Sequence, residues 1–374
     1  MRSPADYISA RAHKVDASGI RKVFDLAAKM KDPINLSIGQ PDFEVPAPVQ
    51  DAAIEAIRRG ENKYTPTQGI APLRERLRAD LSREFSRDIN EVMITSGVEG
   101  GLYLAMLATL DPGDEVIFLD PYFVGYKHVV SMASGTPVPV DSYPDFRFRA
   151  ERVEKQITKR TKMMILSSPA NPTGVMMSDG DLRDAVALAK KHDLLILSDE
   201  IYKSFVYDAQ LGKRDSSAGK LYEKTITLRG FSKSHAMTGW RIGYAVAPDA
   251  ILQQMLKLQQ HSYVCAPAPF QWGALRALDV SMADQIEHYR RKRETVINTL
   301  SKKFEVTPPG GAFYCFPKAP NGMSGTDFVT KAIENNVLVI PGNVFSEQDT
   351  HFRLSYAATD EKLARGCEIL CSLA

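Results

Sequence analysis

The sequence has few cysteines and no long hydrophobic run, and each absence excludes a class of protein. Four cysteines in 374 residues are too few for a disulfide framework. Cys367 and Cys371 have helical spacing, but no second His or Cys pair accompanies them as a zinc site would need. No stretch reaches the roughly 18 consecutive apolar residues of a membrane span. We therefore expect neither a disulfide-stabilised fold, nor a metal centre, nor a membrane protein.

The sequence also lacks a charge excess of either sign. Lysine and arginine number 47 against 45 acidic residues, which leaves a net charge of +2. The basic residues 290–293 have acidic neighbours, which is typical of a solvated helix face. Nucleic acid and membrane surfaces are therefore not expected as partners. The first residues lack the apolar run of a signal peptide, so we expect a cytoplasmic location.

The sequence does contain the alternation of strands and helices that is typical of an α/β fold. Over residues 92–246 this alternation predicts a mainly parallel sheet with helices on both faces. Helices predominate afterwards, and the final third indicates a small α+β domain that the N-terminal segment completes. We predict a large domain over 48–270 and a small domain formed by 1–47 and 271–374. An amphipathic helix is predicted over 18–32.

Residues 229–244 place a lysine, Lys233, among small and hydroxylated residues, with Arg241 shortly after it. A deprotonated amine can form a Schiff base with an aldehyde, and a guanidinium can hold a phosphate. A lone lysine is usually solvated, but Phe231, Met237 and Trp240 add apolar bulk that an exposed basic stretch would lack. The pattern indicates a site for a cofactor that carries an aldehyde and a phosphate.

Other candidate ligands follow predicted strands, where ligand sites of parallel sheets lie. The glycine turn at 96–101 opens a helix, whose N-terminus favours a phosphate, although glycines here can serve packing alone. Phe123 could stack on a flat ring or pack in the core. Asn171 could donate to a ring oxygen or only form a turn. A carboxylate at the end of a buried strand needs a cation, and either Asp199 or Glu200 could be that group.

Gly39 and Arg353 are candidates outside the predicted sheet. Gly39 stands in a Gly and Pro turn, where its backbone could approach a ligand or simply turn the chain. Arg353 lies in an apolar strand, where an unpaired guanidinium would be costly. It should hold a carboxylate in a bidentate fork, unless it forms a structural salt bridge.

These motifs resemble the class I/II pyridoxal-phosphate (PLP) aminotransferases of fold type I, of the aspartate aminotransferase kind. The resemblance extends from about residue 34 to 357 and rests on Ser-Ile-Gly-Gln-Pro-Asp-Phe at 37–43, Tyr-x-x-x-x-Gly at 64–69, Ser-Pro-Ala-Asn-Pro-Thr-Gly at 168–174, Asp-Glu-Ile-Tyr at 199–202 and Ser-Lys-x-x-x-x-x-Gly-x-Arg-x-Gly at 232–243. It implies a large domain with a mainly parallel sheet, a smaller α+β domain, and transfer of the α-amino group from an L-amino acid to a 2-oxo acid.

The resemblance also implies a role for each matched residue. Lys233 would form the internal aldimine and act as the base, Asp199 would keep the ring nitrogen protonated, and Tyr202 would contact the ring oxygen. Phe123 would stack on the ring, and Asn171 would reach the ring oxygen. The phosphate would be held by Gly97, Val98, Glu99, Ser232, Arg241 and, from the neighbouring subunit, Tyr64. The substrate carboxylate would meet Gly39, Asn171 and Arg353.

Since Tyr64 would come from a second copy, the resemblance implies an obligate homodimer. We expect the helix over 18–32 and the loop 311–316 to line the side-chain pocket. A PLP lyase acting on the β-carbon of a sulfur amino acid, and a ligand-sensing module without catalysis, stay open as alternatives. A plain nucleotide-binding protein is disfavoured because no dinucleotide fingerprint is present. The sequence leaves open the amino donor, the acceptor, and whether a distal substrate carboxylate is recognised.

Overall fold

The structure is a computed structural model that describes residues 2–16, 19, 23, 28, 30–207 and 217–374. The helices described are α1 (Ala10–His13), α2 (Ala47–Arg58), α3 (Ala71–Phe85), α4 (Gly97–Thr109), α5 (Gly125–Met132), α6 (Ala150–Glu154), α7 (Asp179–Lys191), α8 (Ala218–Leu221), α9 (Asp249–Ser262), α10 (Ala268–Ala277), α11 (Ala283–Leu300), α12 (Gly325–Glu334) and α13 (Asp360–Ser372). The strands described are β1 (Ile34–Asn35), β2 (Met93–Ser96), β3 (Glu115–Asp120), β4 (Thr136–Asp141), β5 (Thr161–Ser167), β6 (Leu195–Asp199), β7 (Thr225–Gly230), β8 (Ile242–Val246), β9 (Tyr314–Cys315), β10 (Val337–Leu338), β11 (Ile340–Pro341) and β12 (Phe352–Ser355).

Seven of these strands form one sheet, in the order β2, β8, β7, β6, β5, β3, β4. Strand β8 runs antiparallel to β2 and β7, and the remaining neighbours are parallel. The α/β class and the mainly parallel sheet predicted from the sequence are confirmed. Because β6 lies between β5 and β7, its last residue, Asp199, emerges at the centre of the sheet's carboxyl edge.

Both faces of this sheet are covered, as the near-continuous apolar runs of its inner strands require. Along β3, the side chain of Ile117 packs into one core and that of Phe118 into the other. Along β6, Ile196 and Leu197 divide between the same two cores. This alternation follows from the two-residue period of a strand, and it fixes the sheet between two layers of helices.

Two small sheets lie outside the large one. Strand β1 pairs in parallel with β10, and β12 lies between β11 and β9 in an antiparallel sheet. They share a core with α11, α12 and α13 that includes Ile34, Phe328 and Leu363. The N-terminal segment therefore contacts the last third of the chain.

Several elements were not predicted from the sequence, among them helices α1, α5, α6, α8 and α13 and strand β8. Strand β4 was not predicted either, because its Pro137 and Pro139 argue against a strand. Strand β4 forms one edge of the sheet and has β3 as its neighbour. Prolines are tolerated on an edge strand because the positions that lack an N–H group can face away from the paired strand. Most of the helix predicted over 18–32 lies outside the described residues.

Ser178 is the N-cap of α7, since its Oγ accepts the backbone N–H of Asp181 at 3.1 Å. Across the described ranges, no helix combines the length and apolar character needed to span a bilayer.

Candidate active site

Nearly all predicted site residues meet in one cavity at the carboxyl ends of the central strands. It has a volume of about 310 Å³. The predicted residues that line it are Gly39, Val98, Glu99, Phe123, Asn171, Asp199, Tyr202, Ser232, Lys233, Arg241 and Arg353. The wall also includes Leu102, Tyr126, Ser167, Ile201, Thr238 and Tyr314. Tyr64 is not among the lining residues, and its side chain is 83% exposed.

Lys233 lies in this cavity a short way beyond the end of β7. Its Nζ donates a hydrogen bond to the backbone oxygen of Gly39 at 2.6 Å. Burial lowers the pKa of Lys233 to about 8, and the positive charges of Arg353 and Arg241 contribute. At pH 7 the Lys233 side chain is therefore neutral in roughly one molecule in ten, a far larger fraction than for a solvated lysine. Such an amine suits Schiff-base formation.

Asp199 is buried at the end of β6 and faces the cavity. Tyr126 donates its hydroxyl proton to one carboxylate oxygen at 2.7 Å, and the N–H of Ile201 donates to the other at 3.2 Å. Burial raises the pKa of Asp199, because these neutral donors offset the loss of water only in part. A cation placed beside the carboxylate would therefore be strongly favoured.

The adjacent carboxylate, Glu200, is already paired. It accepts from the Arg229 guanidinium at 2.8 Å and from the Ser217 hydroxyl at 2.5 Å. Arg229 also binds Glu84 through two hydrogen bonds of 2.7 Å. Asp199, and not Glu200, lines the cavity, so the tertiary structure separates two carboxylates that the sequence could not rank.

The turn between β2 and α4 forms a cradle suited to an anion. Gly97 has a φ of 70°, and an added Cβ would collide with the guanidinium of Arg241, so the close approach requires glycine. Arg241 itself has a φ of 57° and is fixed by a 2.9 Å hydrogen bond to the carbonyl of Thr238. The N–H groups of the first turn, including those of Val98 and Glu99, have no intrahelical acceptor and favour a phosphate. Ser232 is buried in the adjoining wall.

Arg353 is 1% exposed, and its described partners are neutral. It donates to Asn171 Oδ1 at 3.0 Å and to the backbone oxygen of Ser37 at 2.7 Å, while its Nε has no partner among the described residues. The guanidinium lies 4.6 Å from the ring centroid of Tyr314 and 4.5 Å from that of Phe345. No carboxylate is among these contacts, so within the described part of the chain no salt bridge uses the charge of Arg353.

Sequence reasoning missed two tyrosines that touch predicted site residues. Tyr126 binds Asp199 across 73 residues of sequence, as described above. Tyr314 shares a 2.8 Å hydrogen bond with the hydroxyl of Tyr202. The expectation that loop 311–316 lines the pocket was the only signal for Tyr314, and nothing local distinguished Tyr126 from a core aromatic. Phe123 packs edge-on against Tyr126, with 5.5 Å between ring centroids.

The family described as "Aminotransferase class I and II" matches residues 31–370 of the chain. This protein therefore belongs to the class I and II aminotransferases. It is 36% identical to an aspartate aminotransferase of Pyrococcus abyssi and to aromatic-amino-acid aminotransferase 2 of Thermococcus litoralis, each time over 95% of both proteins. A solved structure of the aspartate aminotransferase from Thermus thermophilus with maleate is 34% identical, covers 100% of both chains and has a TM-score of 0.93.

The chain is thus an enzyme that transfers the amino group of an amino acid to a 2-oxo acid and depends on PLP. Three features of the cavity fit this cofactor: an amine with a lowered pKa, a buried acid whose described partners are neutral, and the Gly97 cradle beside Arg241. Within the described ranges, no group of His, Cys, Asp or Glu side chains is arranged to hold a metal ion.

Proposed function

We propose that this cavity is the active site and that Lys233 is both the attachment point of the cofactor and the base of the reaction. The observation that carries this assignment is the Lys233 amine in the wall of the cavity that Asp199 and Arg353 also line, where burial lowers its pKa to about 8. When bound, PLP supplies an aldehyde and an electron-withdrawing ring. Lys233 would hold the cofactor through its aldehyde, and its Nζ, once free as a neutral amine, would take up the proton at the substrate α-carbon and release it again.

Asp199 holds the proton on the ring nitrogen, and Tyr126 orients its carboxylate through the 2.7 Å hydrogen bond. Tyr202 and Asn171 bind the ring oxygen. Asn171 already accepts a hydrogen bond from Arg353 through Oδ1, which leaves its NH₂ group free to donate toward the ring. Phe123 lines the same cavity and would supply an aromatic face for the ring.

The phosphate is held by the backbone N–H groups of Gly97, Val98 and Glu99, with Ser232 and Arg241. Arg353 binds the substrate α-carboxylate, with the backbone at Gly39 and the amide of Asn171. The neutral surroundings of Arg353 support this role, because a bidentate carboxylate would supply its missing counter-charge. Held at its carboxylate and amine, the substrate presents its α-hydrogen to Lys233.

This function is tested by the visible absorption of the PLP-loaded enzyme during addition of single amino acids. We expect certain amino acids to convert the bound cofactor to its amine form and release the matching 2-oxo acid. A 2-oxo acid added afterwards should restore the starting spectrum. Release of pyruvate and ammonia from a sulfur amino acid, with no requirement for an acceptor, would show a β-lyase instead.

We also propose a homodimer in which Tyr64 completes the phosphate site of the second copy. Its 83% exposure, together with the exposed Ile54 and Ile57 on α2, supports a face that another chain covers. A hydrogen bond to a charged group contributes about 1.5–3 kcal/mol, so Tyr64→Ala should weaken PLP binding about tenfold or more.

Mixed dimers test this arrangement. A dimer of one Lys233→Ala chain and one Tyr64→Ala chain contains one site with both wild-type residues and one site with neither. Co-expressed with two tags and purified through both, it should be about half as active as the wild-type dimer at limiting PLP, whereas both parent dimers stay nearly inactive. A monomer in sedimentation, or a mixed dimer no more active than its parents, would contradict the proposal.

The division into a large domain, 48–270, and a small domain, 1–47 with 271–374, is part of the same proposal, as is a cytoplasmic location. The four cysteines are free thiols, which suits a reducing compartment. Limited proteolysis with cuts confined to the neighbourhoods of residues 47 and 270 would support the boundaries, and cell fractionation would test the location.

A further inference from the structure

The charges that line the cavity are not all used by the proposed function. Its cationic side chains are Lys233, Arg241 and Arg353, and its carboxylates are Glu99 and Asp199. In the proposed function Lys233 binds the aldehyde, Arg241 the phosphate, Arg353 the substrate carboxylate and Asp199 the ring nitrogen. The side chain of Glu99 is the charge that is left, because only its backbone N–H serves the phosphate.

Glu99 lines the cavity and is also in contact with solvent. It belongs to the first turn of α4 and is exposed in the chain. An added Cβ on Gly125 would be 3.2 Å from Glu99 Oε1 and 2.5 Å from the Phe123 ring, so the carboxylate lies beside that ring. Phe123 is the proposed stacking residue, so a substrate side chain that runs along its ring would come within reach of the Glu99 carboxylate.

The charges around Glu99 also disfavour a negatively charged substrate side chain. Partial burial raises the pKa of Glu99, and the nearby Asp199 carboxylate adds to the rise, while Arg241 and Lys233 oppose it. In the loaded enzyme the phosphate neutralises Arg241 and the aldehyde removes the charge of Lys233. A second carboxylate brought to this place by a substrate would meet a negative group, and no unused cation of the described lining could compensate it.

We propose that Glu99 determines the substrate class of this enzyme: it disfavours amino acids with an acidic side chain and accepts those whose side chain ends in a hydrogen-bond donor or a positive charge. The inference rests on the proposed function of the cavity and adds the substrate preference to it. Neighbouring Leu102 and Phe123 supply an apolar wall for the carbon atoms of such a side chain.

Isosteric substrate pairs test this preference directly. Aspartate and asparagine, or glutamate and glutamine, differ in charge but hardly in size. We expect the amide of each pair to have a kcat/KM about tenfold or more above the acid in the wild-type enzyme. In Glu99→Gln the ratio should fall toward one, because the acid improves.

Two control variants separate a local effect from a general one. Glu151→Gln makes the same change of net charge at an exposed position of α6 and should leave the ratio unchanged. Arg353→Lys should lower kcat/KM for both members of a pair alike, because both carry the α-carboxylate. A wild-type preference for the acids, or an equal ratio in wild type and Glu99→Gln, would overturn the proposal.

Binding of unreactive ligands gives a readout that does not depend on turnover. Calorimetry on the PLP-loaded enzyme should show weaker binding of succinate than of its monoamide, succinamate. Glu99→Gln should strengthen succinate binding about tenfold and change succinamate little. If no amino acid is transaminated, the proposed function fails, and this binding comparison still decides the role of Glu99. Tighter binding of succinate than of succinamate by the wild type would show that a cation, such as one from a second copy, overrides Glu99.

Discussion

Lys233→Ala is expected to reduce transamination by about four orders of magnitude or more, because one side chain both binds the aldehyde and moves the proton. Borohydride treatment followed by mass spectrometry should show the cofactor attached to the wild type but not to the variant. The non-covalent contacts at Arg241 and the α4 N-terminus should still retain PLP in the variant, with an altered absorption spectrum.

Lys257→Ala is a matched control, because this exposed lysine lies on α9, away from the cavity. It should behave like the wild type in rate and in cofactor attachment. A small primary amine added to Lys233→Ala should restore part of the rate, since it can enter the vacated space and accept the α-proton. Normal turnover of Lys233→Ala, with the fold intact by circular dichroism, would refute the proposed mechanism.

Asp199→Asn is expected to lower kcat/KM by about two hundred- to five thousandfold. Removing one partner of a buried ion pair costs about 3–5 kcal/mol, and each 1.36 kcal/mol corresponds to a factor of ten in rate. The ring nitrogen would lose the charge that holds its proton, whereas the amide preserves the size of the side chain. Stopped-flow measurement of the half-reaction should show the loss in the proton-transfer step, with amino-acid binding changed much less.

Glu200→Gln is the comparison that distinguishes the two neighbouring carboxylates. Glu200 is bound to Arg229, so its replacement should mainly lower the temperature of unfolding by leaving a buried guanidinium with one carboxylate partner fewer. Its kcat/KM should change far less than that of Asp199→Asn. A larger loss of turnover in Glu200→Gln would transfer the proposed role to Glu200.

The order of elements and much of the site could be predicted because both depend on short stretches of sequence. The apolar runs of β5 and β6 determine where the strands end, and parallel pairing brings those ends to one edge. Lys233 and Arg241 lie within a single motif, so their proximity could also be predicted. Strand β4 was missed because its two prolines suit an edge position, and only pairing reveals which strand is at the edge.

The sequence could not decide between residues that share a local pattern. Asp199 and Glu200 are adjacent carboxylates after the same strand, and only the position of Arg229 shows which of them is already paired. Tyr126 and Tyr314 looked like ordinary aromatics, because the groups they bind lie 73 and 112 residues away.

The sequence by itself determined the class of fold and the chemistry available to this protein, since hydrophobic periodicity and short motifs act over a few residues. The tertiary structure alone decided which of those groups meet. The contact of Lys233 with Gly39 spans 194 residues, and that of Arg353 with Ser37 spans 316. It also placed the Glu99 carboxylate beside Phe123 and left Tyr64 exposed. Such contacts depend on strand order and on the packing of the last third of the chain against the first, which no local propensity specifies.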